Sequence, residues 1–263
     1  MGSLISCVDA FTDRPFKGNQ AAVCVLDKPR SQTWMQNLAA EMNLAETAFV
    51  ITRGKRIQLR WFTPTVEMPL CGHATLASAH VLWSERRRST RESIRFETLS
   101  GTLTATRRGK LIELDFPAER AEPVEPPAGL ARALGVAPVW FGRNRLDYIV
   151  EVATESEVRE LQPDLTALAA LDTRGVIVTA RSSAKPYDFI SRFFAPGVGI
   201  PEDPVTGSAH CCLAPYWGTK LKKDVMLGYQ ASPRGGKVRV ELAGSRVLLS
   251  GSAVTIYRGT LTV

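Results

Sequence analysis

Residues 60–69 read RWFTPTVEMP, and residues 192–201 read RFFAPGVGIP. Arginine, phenylalanine, proline, valine and proline recur at matching positions in the two blocks. Each block is followed closely by a glycine that opens a helix of small residues, at Gly72 and at Gly207. Two copies in a chain of 263 residues are too few for a solenoid, which needs at least three repeats. The repeat therefore predicts two similar domains.

Short segments with alternating or β-branched apolar residues are typical of strands and dominate both copies. Strands are expected at 5–10, 21–26, 48–52, 57–62, 94–96, 102–106, 111–116, 148–152, 176–180, 188–194, 237–242, 247–250 and 253–263. Helices are expected at 32–41, 73–84, 155–161, 165–171 and 208–217. This order predicts an α+β fold with two pseudo-symmetric halves, each a mostly antiparallel sheet around a central helix.

The domain boundaries follow from the same pattern. We expect an N-terminal half at 1–118, which the strand at 253–263 could complete, and a C-terminal half at 128–252. The intervening residues 119–127 belong to the proline-rich, acidic stretch PAERAEPVEPPAG, which is typical of a linker.

The two apolar helices begin without the usual capping residues. Cys71, Gly72 and His73 open the first, where serine, threonine, aspartate or asparagine would be the ordinary choice. A glycine at a helix start lets a ligand approach free backbone N–H groups closely. If a twofold axis brings the two starts face to face, the cleft between the halves would suit an anion, most simply a carboxylate.

The side chains at these repeated positions differ between the halves. Glu46, at the entry to an apolar strand, has Thr173 and Arg174 near its equivalent place, and His73 is matched by Ser208. A partly desolvated carboxylate at Glu46 could act as acid and base, although a strand-start glutamate at the surface fits the position as well.

Three further residues near these motifs have structural as well as functional interpretations. Asp203 could be a turn residue before Pro204, and His73 an ordinary helix-start residue bound to a loop carbonyl. Cys71 could be simply buried, or could form a nucleophile–base pair with His73. Arg192 and Arg234 could pair with a second anionic group of a ligand or be structural.

Composition narrows the class of protein. The net charge of +7 is spread along the chain. Its densest cluster, at Arg86, Arg87, Arg88 and Arg91, is typical of a solvated helix C-terminus, so no nucleic-acid partner is expected. Five cysteines without a zinc-type pair and only three histidines argue against a metal site. With no apolar run of membrane-span length and no signal-peptide pattern, we expect a cytoplasmic protein without a membrane partner.

Four sequence blocks together resemble the PhzF-type phenazine biosynthesis-like proteins. They read DAFTDRPFKGNQAAV, NLAETAFV, FTPTVEMPLCGHATLASAHVL and FAPGVGIPEDPVTGSAH. The resemblance runs from Asp9 to about His210 and weakens towards the C-terminus. One departure is Gly18-Asn19-Gln20, where G-N-P is usual. The family resembles diaminopimelate epimerase in fold, so the resemblance implies that fold here, in agreement with the repeat.

The resemblance also implies roles for site residues. Glu46, in the N-L-A-E-T block, corresponds to the family's acid/base, and His73 to a residue that assists it. Asp203 corresponds to the second acidic group, and Ser208 completes that motif. The backbone N–H groups implied to hold the substrate carboxylate are those around Gly72, His73, Gly207 and Ser208.

The implied reaction is an isomerisation without a cofactor, which in phenazine pathways acts on a dihydro-hydroxyanthranilate, and the implied assembly is a homodimer. The epimerase relatives use two cysteines, one on each face of the substrate carbon, whereas here only Cys71 stands at a matching place. A single carboxyl group at Glu46 that takes and returns a proton favours isomerisation. An epimerase or racemase using Cys71 remains an alternative, as does a non-catalytic protein that binds small acids or a protein partner.

Overall fold

The computed structural model describes residues 3–53, 56–85 and 87–263; Arg86, part of the arginine cluster noted above, lies outside them. The fold is α+β, as predicted. The chain divides into two compact units. The first unit runs to Asp115 and resumes at Ser250–Val263, and the second comprises Phe116–Leu249.

Strands make up most of the regular structure. They are β1 (Leu4–Ala10), β2 (Asn19–Leu26), β3 (Glu46–Arg53), β4 (Arg56–Phe62), β5 (Glu67–Met68), β6 (Ile94–Thr98), β7 (Gly101–Arg108), β8 (Leu111–Pro117), β9 (Glu122–Pro123), β10 (Trp140–Arg143), β11 (Asp147–Glu151), β12 (Gly175–Arg181), β13 (Phe189–Phe194), β14 (Val225–Gln230), β15 (Gly236–Ala243), β16 (Arg246–Gly251) and β17 (Ala253–Thr260). The helices are α1 (Gln32–Met42), α2 (Gly72–Ser84), α3 (Leu130–Leu134), α4 (Glu155–Glu160), α5 (Leu165–Ala169) and α6 (Gly207–Leu221), with a short 3₁₀ turn at Pro196–Val198.

The same order of strand pairing occurs in both units, which confirms the repeat. In the first unit β1 pairs antiparallel with β2, β2 parallel with β3, and β3 antiparallel with β4. The strand that follows α2 is β6, which pairs parallel with β4 and antiparallel with β7. In the second unit β10 pairs antiparallel with β11, β11 parallel with β12, and β12 antiparallel with β13. The next strand, β14, follows α6 and pairs parallel with β13 and antiparallel with β15. In the first unit β17 adds a further antiparallel partner for β1.

Each unit is built around one long apolar helix. Helix α2 packs against β1, β2, β3, β7 and β17, and α6 packs against β14 and β15. In α2 even the polar residues Thr75 and Ser78 are fully buried, and each donates its hydroxyl to the carbonyl four residues earlier. A helix that is apolar on all sides is stable only when other elements cover it, which explains its central position.

Besides the two-residue strands β5 and β9, the sequence pattern does not predict β10 and β14, because each contains a glycine that interrupts the apolar alternation. In β10, a side chain at Gly142 would lie 2.2 Å from the Trp140 ring. In β14, one at Gly228 would lie 2.5 Å from the ring of Phe189 and 3.2 Å from His210 Nε2. The packing of large neighbours therefore selects glycine at both positions.

Residues 119–127, the predicted linker, lie within the second unit. Glu122–Pro123 forms β9 and pairs antiparallel with β10, and Glu119 N–H donates to the carbonyl of Cys211 in α6. The prolines limit this pairing to two residues, because proline lacks the N–H that a longer ladder needs.

Among the residues that the structure describes, no helix combines the length and apolar character needed to cross a membrane.

Gly18 provides a test of how the start of β2 is held. Its φ is +68°, and a Cβ there would lie 2.1 Å from the carbonyl oxygen of Ala10. Gly109 has a similar φ of +63°, but a Cβ added there would have no described heavy atom within 4 Å. We expect Gly109→Ala to lower the free energy of unfolding by about 1 kcal/mol and Gly18→Ala by about 3 kcal/mol or more, as measured by urea denaturation. Equal losses would contradict this account.

Candidate active site

Glu46 and His73 meet in the first unit. Glu46 is the first residue of β3 and is 7% exposed, while His73 is the second residue of α2 and is 4% exposed. Glu46 Oε2 lies 2.9 Å from His73 Nε2, an ion-pair contact whose angle departs from that of a linear hydrogen bond. The surface interpretation of Glu46 is therefore wrong, because the start of β3 is covered.

The other nitrogen of His73 has two neighbours. Asn19, the first residue of β2, places Nδ2 3.2 Å from His73 Nδ1, and Cys71 places Sγ 3.5 Å from the same atom. The Asn19 amide N–H can only donate, so it suits a neutral ring whose hydrogen is on Nε2, towards Glu46, whereas the Cys71 sulfur can weakly donate or weakly accept. If the side-chain amide of Asn19 is rotated by about 180°, its Oδ1 can accept a hydrogen bond from Nδ1–H of a charged His73 ring. The site thus accommodates both protonation states of His73.

Burial and neighbouring charge have opposite effects on the pKa of His73 and the same effect on the pKa of Cys71. Burial disfavours the charged imidazole, but the acidic neighbours Cys71 and Glu46 outweigh it and raise the pKa of His73 well above 6.5. Burial, helped by the Glu46 carboxylate, raises the pKa of the Cys71 thiol. These contacts favour the imidazolium form of His73, and burial favours the neutral thiol of Cys71.

Glu46, Cys71 and His73 also offer one ligand atom each within 4.8 Å of one another, a spacing that a metal ion can bridge. Their arrangement does not favour this use. The imidazole lies between the other two groups, with Nδ1 towards Cys71 and Nε2 towards Glu46. A metal ion would need a single ring nitrogen to converge with both the thiolate and the carboxylate. The geometry instead suits a relay of protons through the ring.

Asp203 belongs to a hydrogen-bonded network at the start of α6 in the second unit. Its Oδ2 accepts from Thr206 Oγ1 at 2.5 Å. Gln230, which is fully buried, accepts from Thr206 N–H at 2.8 Å and donates to the Asp203 carbonyl at 2.7 Å. The turn interpretation of Asp203 thus holds in part, since its carboxylate fixes the residue that precedes the helix.

Ser208, the second residue of α6, contacts an ion pair. Arg174 Nη2 donates to Ser208 Oγ at 3.0 Å, and Arg174 binds Asp147 with Nε at 2.8 Å and with Nη2. Asp147 is 1% exposed, and this burial raises the pKa of its carboxyl even though the Arg174 guanidinium favours the ionised form.

Strand register identifies which residues correspond between the units. Thr47 pairs with Phe62, and Val176 pairs with Phe194, so the residues that precede them, Glu46 and Gly175, are equivalent. A side chain at Gly175 would lie 2.4 Å from the Phe193 ring. The position that carries the carboxylate in the first unit therefore has room only for hydrogen in the second.

The repeated arginines have a structural role. Arg60 binds Glu67 through two hydrogen bonds of 2.6 Å. Arg192 binds Glu202 at 2.7 and 2.9 Å and also donates to the Leu161 carbonyl at 2.7 Å. Of the two interpretations of Arg192, the structure supports the structural one, because a bidentate carboxylate already occupies its guanidinium.

Neither long helix has a side-chain cap among the described residues. Cys71 and Thr206 take extended backbone conformations at the N-cap positions of α2 and α6, and neither accepts a hydrogen bond from the helix with its side chain. The first N–H groups at Gly72 and Gly207 therefore lack the partner that a capping side chain would supply.

Comparison with known proteins agrees with the repeat, the fold and the motifs. The family model for the phenazine biosynthesis-like protein, PhzC-PhzF, matches residues 8–259. The chain belongs to this family. An uncharacterized isomerase of Halalkalibacterium halodurans is 53% identical over 262 residues, which cover 99% of both chains. The resemblance inferred from the four blocks is thus confirmed, and the family includes relatives named as isomerases.

Solved structures support the same assignment. A crystal structure of a PhzF-family phenazine biosynthesis protein from Enterococcus faecalis aligns with a TM-score of 0.95 at 42% identity and covers 100% of both chains. A hydroxyproline epimerase from Agrobacterium vitis aligns with a TM-score of 0.63 at 10% identity over 98% of this chain and 92% of its own. That second likeness shows a shared epimerase-like fold.

The sequence pattern did not assign roles to Asn19, Gln230 or Asp147. Asn19 follows the turn at Gly18 and precedes Gln20, the residue that replaces the usual proline of the family block. Gln230 is a lone amide at the end of the strand VMLGYQ, where burial gives it hydrogen-bonding partners on the preceding loop. A buried amide that ends an apolar strand is the one local signal that could have indicated this role.

The three histidines provide a test of these electrostatics. Burial, together with Arg258 and Arg107, lowers the pKa of His80 to about 4, and burial lowers the pKa of His210 to about 4. At pH 6 we therefore expect one charged imidazole, that of His73, and two neutral ones. NMR titration of ¹³C-histidine-labelled protein, assigned with single His→Gln variants, measures this. Three rings that titrate together near pH 6.5 would contradict it.

The same shifts give the sign of the pH effect on stability. Because the folded pKa of His73 is raised, its contribution to folding is present below about pH 6.5 and is lost as the pH rises through the folded value. His80 and His210 act oppositely, since the folded chain holds them neutral, and they destabilise it as the pH falls from about 6.5 towards 4.

Proposed function

We propose that this protein is a cofactor-independent isomerase that moves a proton on a small carboxylic acid, with Glu46 as the acid/base. The observation that carries the proposal is the buried contact between Glu46 and His73. A carboxylate shielded from water and next to a base of raised pKa can accept a proton from carbon and return it. The family assignment supports the same class of reaction.

The proposed step balances without a redox partner. Glu46 takes a proton from a carbon of the substrate, and the electron pair of the broken C–H bond moves into a neighbouring double bond. Glu46 then returns the proton to a second carbon as the double bond shifts. His73 stabilises the Glu46 carboxylate before the first transfer and after the second, and between the transfers its imidazolium offsets the negative charge on the substrate.

In this proposal the second unit supplies binding groups and the acidic residue Asp203, but no counterpart of the base Glu46. Ser208 stands at the counterpart of His73, and Gly175 at the counterpart of Glu46. As the family resemblance implies, Asp203 is proposed to be the second acidic group of the reaction. The proposed carboxylate-binding groups are the backbone N–H groups of Gly72 and His73 in the first unit and of Gly207 and Ser208 in the second.

An epimerase that uses Cys71 is the second candidate. The contact between Cys71 Sγ and His73 Nδ1 favours it, because the ring could remove the thiol proton. The raised pKa of the thiol argues against it, since a buried thiol surrenders its proton reluctantly. The phenazine-type substrate and the homodimer implied by the resemblance stay predictions.

Exchange of carbon-bound hydrogen in deuterated water tests the proposal. The wild-type protein is incubated with a panel of small cyclic and amino carboxylic acids, and C–H signals are followed by NMR. We expect Glu46→Gln to slow exchange at least about 100-fold, because it removes the acid/base group but keeps its shape. Glu41→Gln, the same substitution at an exposed position of α1, is the control and should exchange like the wild type.

Two outcomes would overturn the proposal. Exchange that survives in Glu46→Gln but is lost in Cys71→Ala would establish the epimerase chemistry instead. Measurable binding of carboxylic acids by the wild type without exchange of any of them would indicate a protein that binds small acids and does not convert them.

A further inference from the structure

Arg174, Asp147 and Ser208 form a cluster at the start of α6, and the proposed chemistry uses none of their side chains. Arg174 Nη2 bridges the Asp147 carboxylate and the Ser208 hydroxyl, and Nε makes a second bond to Asp147. Asp147 lies in the first position of β11 and Arg174 directly precedes β12, two strands that pair in parallel register. The cluster thus joins the starts of two paired strands to the start of the helix.

The direction of the hydrogen bond to Ser208 is fixed by chemistry. A guanidinium has only donors, so Ser208 Oγ accepts from Arg174. The hydroxyl hydrogen of Ser208 is therefore left to donate to some other group.

The usual internal acceptor for that hydrogen is engaged by another side chain. Thr75 and Ser78 of α2 donate to the carbonyl four residues earlier, at 2.5 and 2.7 Å. For Ser208 that carbonyl belongs to Pro204, which precedes the helix and accepts from Ser232 Oγ at 2.8 Å. Ser208 is also partly exposed, between the buried residues Gly207 and Ala209. Its hydroxyl can therefore donate outward from the helix start.

The position of Arg174 is held on several sides. Asn144 Oδ1 accepts from the N–H groups of Leu146 and Asp147, at 2.8 and 2.7 Å, and shapes the turn that presents Asp147. The guanidinium carbon of Arg174 lies 5.6 Å from the centre of the Phe193 ring. The planar guanidinium held in this way keeps a fixed orientation towards Ser208, whereas the flexible side chain of a lysine would not keep it.

We infer that Arg174 is a positioning residue for substrate binding: it holds Ser208 Oγ as an acceptor and so directs the Ser208 O–H towards the carboxylate of the substrate. The inference rests on the proposed function, which assigns the start of α6 to that carboxylate. In this proposal the second position of the long helix assists proton transfer in the first unit, as His73, and binds the anion in the second unit, as Ser208.

Binding rather than turnover tests this inference, so that its failure can be told apart from a failure of the isomerase proposal. The probe is 2-aminobenzoate, a small cyclic amino carboxylate, titrated calorimetrically into the full chain. Ser208→Ala and Arg174→Lys are compared singly and together. Lysine keeps a positive charge for Asp147, which guards against unfolding, but a single ammonium cannot reproduce the fork that reaches Ser208.

We expect Ser208→Ala to weaken binding about tenfold, as for loss of one hydrogen bond to a charged group, and Arg174→Lys by a similar factor. Because both changes remove the same hydrogen bond, the double variant should bind no more weakly than Ser208→Ala alone. Arg159→Lys is the matched control, since Arg159 forks onto Glu155 in the same unit, and it should leave affinity unchanged.

Multiplied losses of about 100-fold in the double variant would show that Arg174 and Ser208 act independently and would overturn the inference. Unchanged affinity in Arg174→Lys would do the same, as would failure of the wild type to bind the carboxylate at all. Binding that follows the expected pattern in a protein that shows no hydrogen exchange would support the role of Arg174 and reject the isomerase chemistry.

Discussion

The contact between Glu46 and His73 places two ionisable groups where water scarcely reaches them. Each group alone would be costly to bury in its charged form, and the pair is tolerable because each offsets the charge of the other. Its geometry depends on the backbone at two element starts: β3 begins with Glu46, and α2 begins immediately before His73. Asn19 and Cys71 complete the contacts of the ring, so the first unit fixes both nitrogens of the one histidine that holds a raised pKa.

The two units repeat the same backbone, but the side chains at equivalent positions differ. Both units follow the same order of strand pairing around a buried helix, and both helices begin at a glycine without a side-chain cap among the described residues. What differs is the side chain that the neighbouring packing admits. Phe193 leaves no room beside Gly175, and the acidic group next to it comes from Asp147 on the adjacent strand, neutralised by Arg174. One unit thus places a buried carboxylate beside an imidazole, and the other places a guanidinium beside a hydroxyl.

The fold could be predicted largely from the sequence, because the strand alternation is a local pattern and the repeat shows that both units share it. Prediction failed at β10 and β14, where Gly142 is selected by Trp140 and the Glu122 carbonyl, and Gly228 by Phe189, in an arrangement that only the folded chain produces. The motif residues at the candidate site were predictable, since they stand inside recognisable blocks. Their partners were not: Gln230 reaches Asp203 across 27 positions of sequence, and an amide at the end of an apolar strand indicates that a partner is needed but not which residue supplies it. The choice between a ligand-binding and a structural role for Arg192 likewise depends on Glu202, a residue outside the aligned repeat blocks.

Chemical rescue tests the central claim, that a carboxyl group at position 46 carries the proton, most directly. Glu46→Ala removes the carboxylate and leaves space beside His73, and formate added to the solution can occupy that space. The account predicts that the variant loses hydrogen exchange with a substrate of the wild type, and that formate restores exchange in a saturable manner while chloride at the same ionic strength does not. Exchange by Glu46→Ala at the wild-type rate without formate would contradict the account.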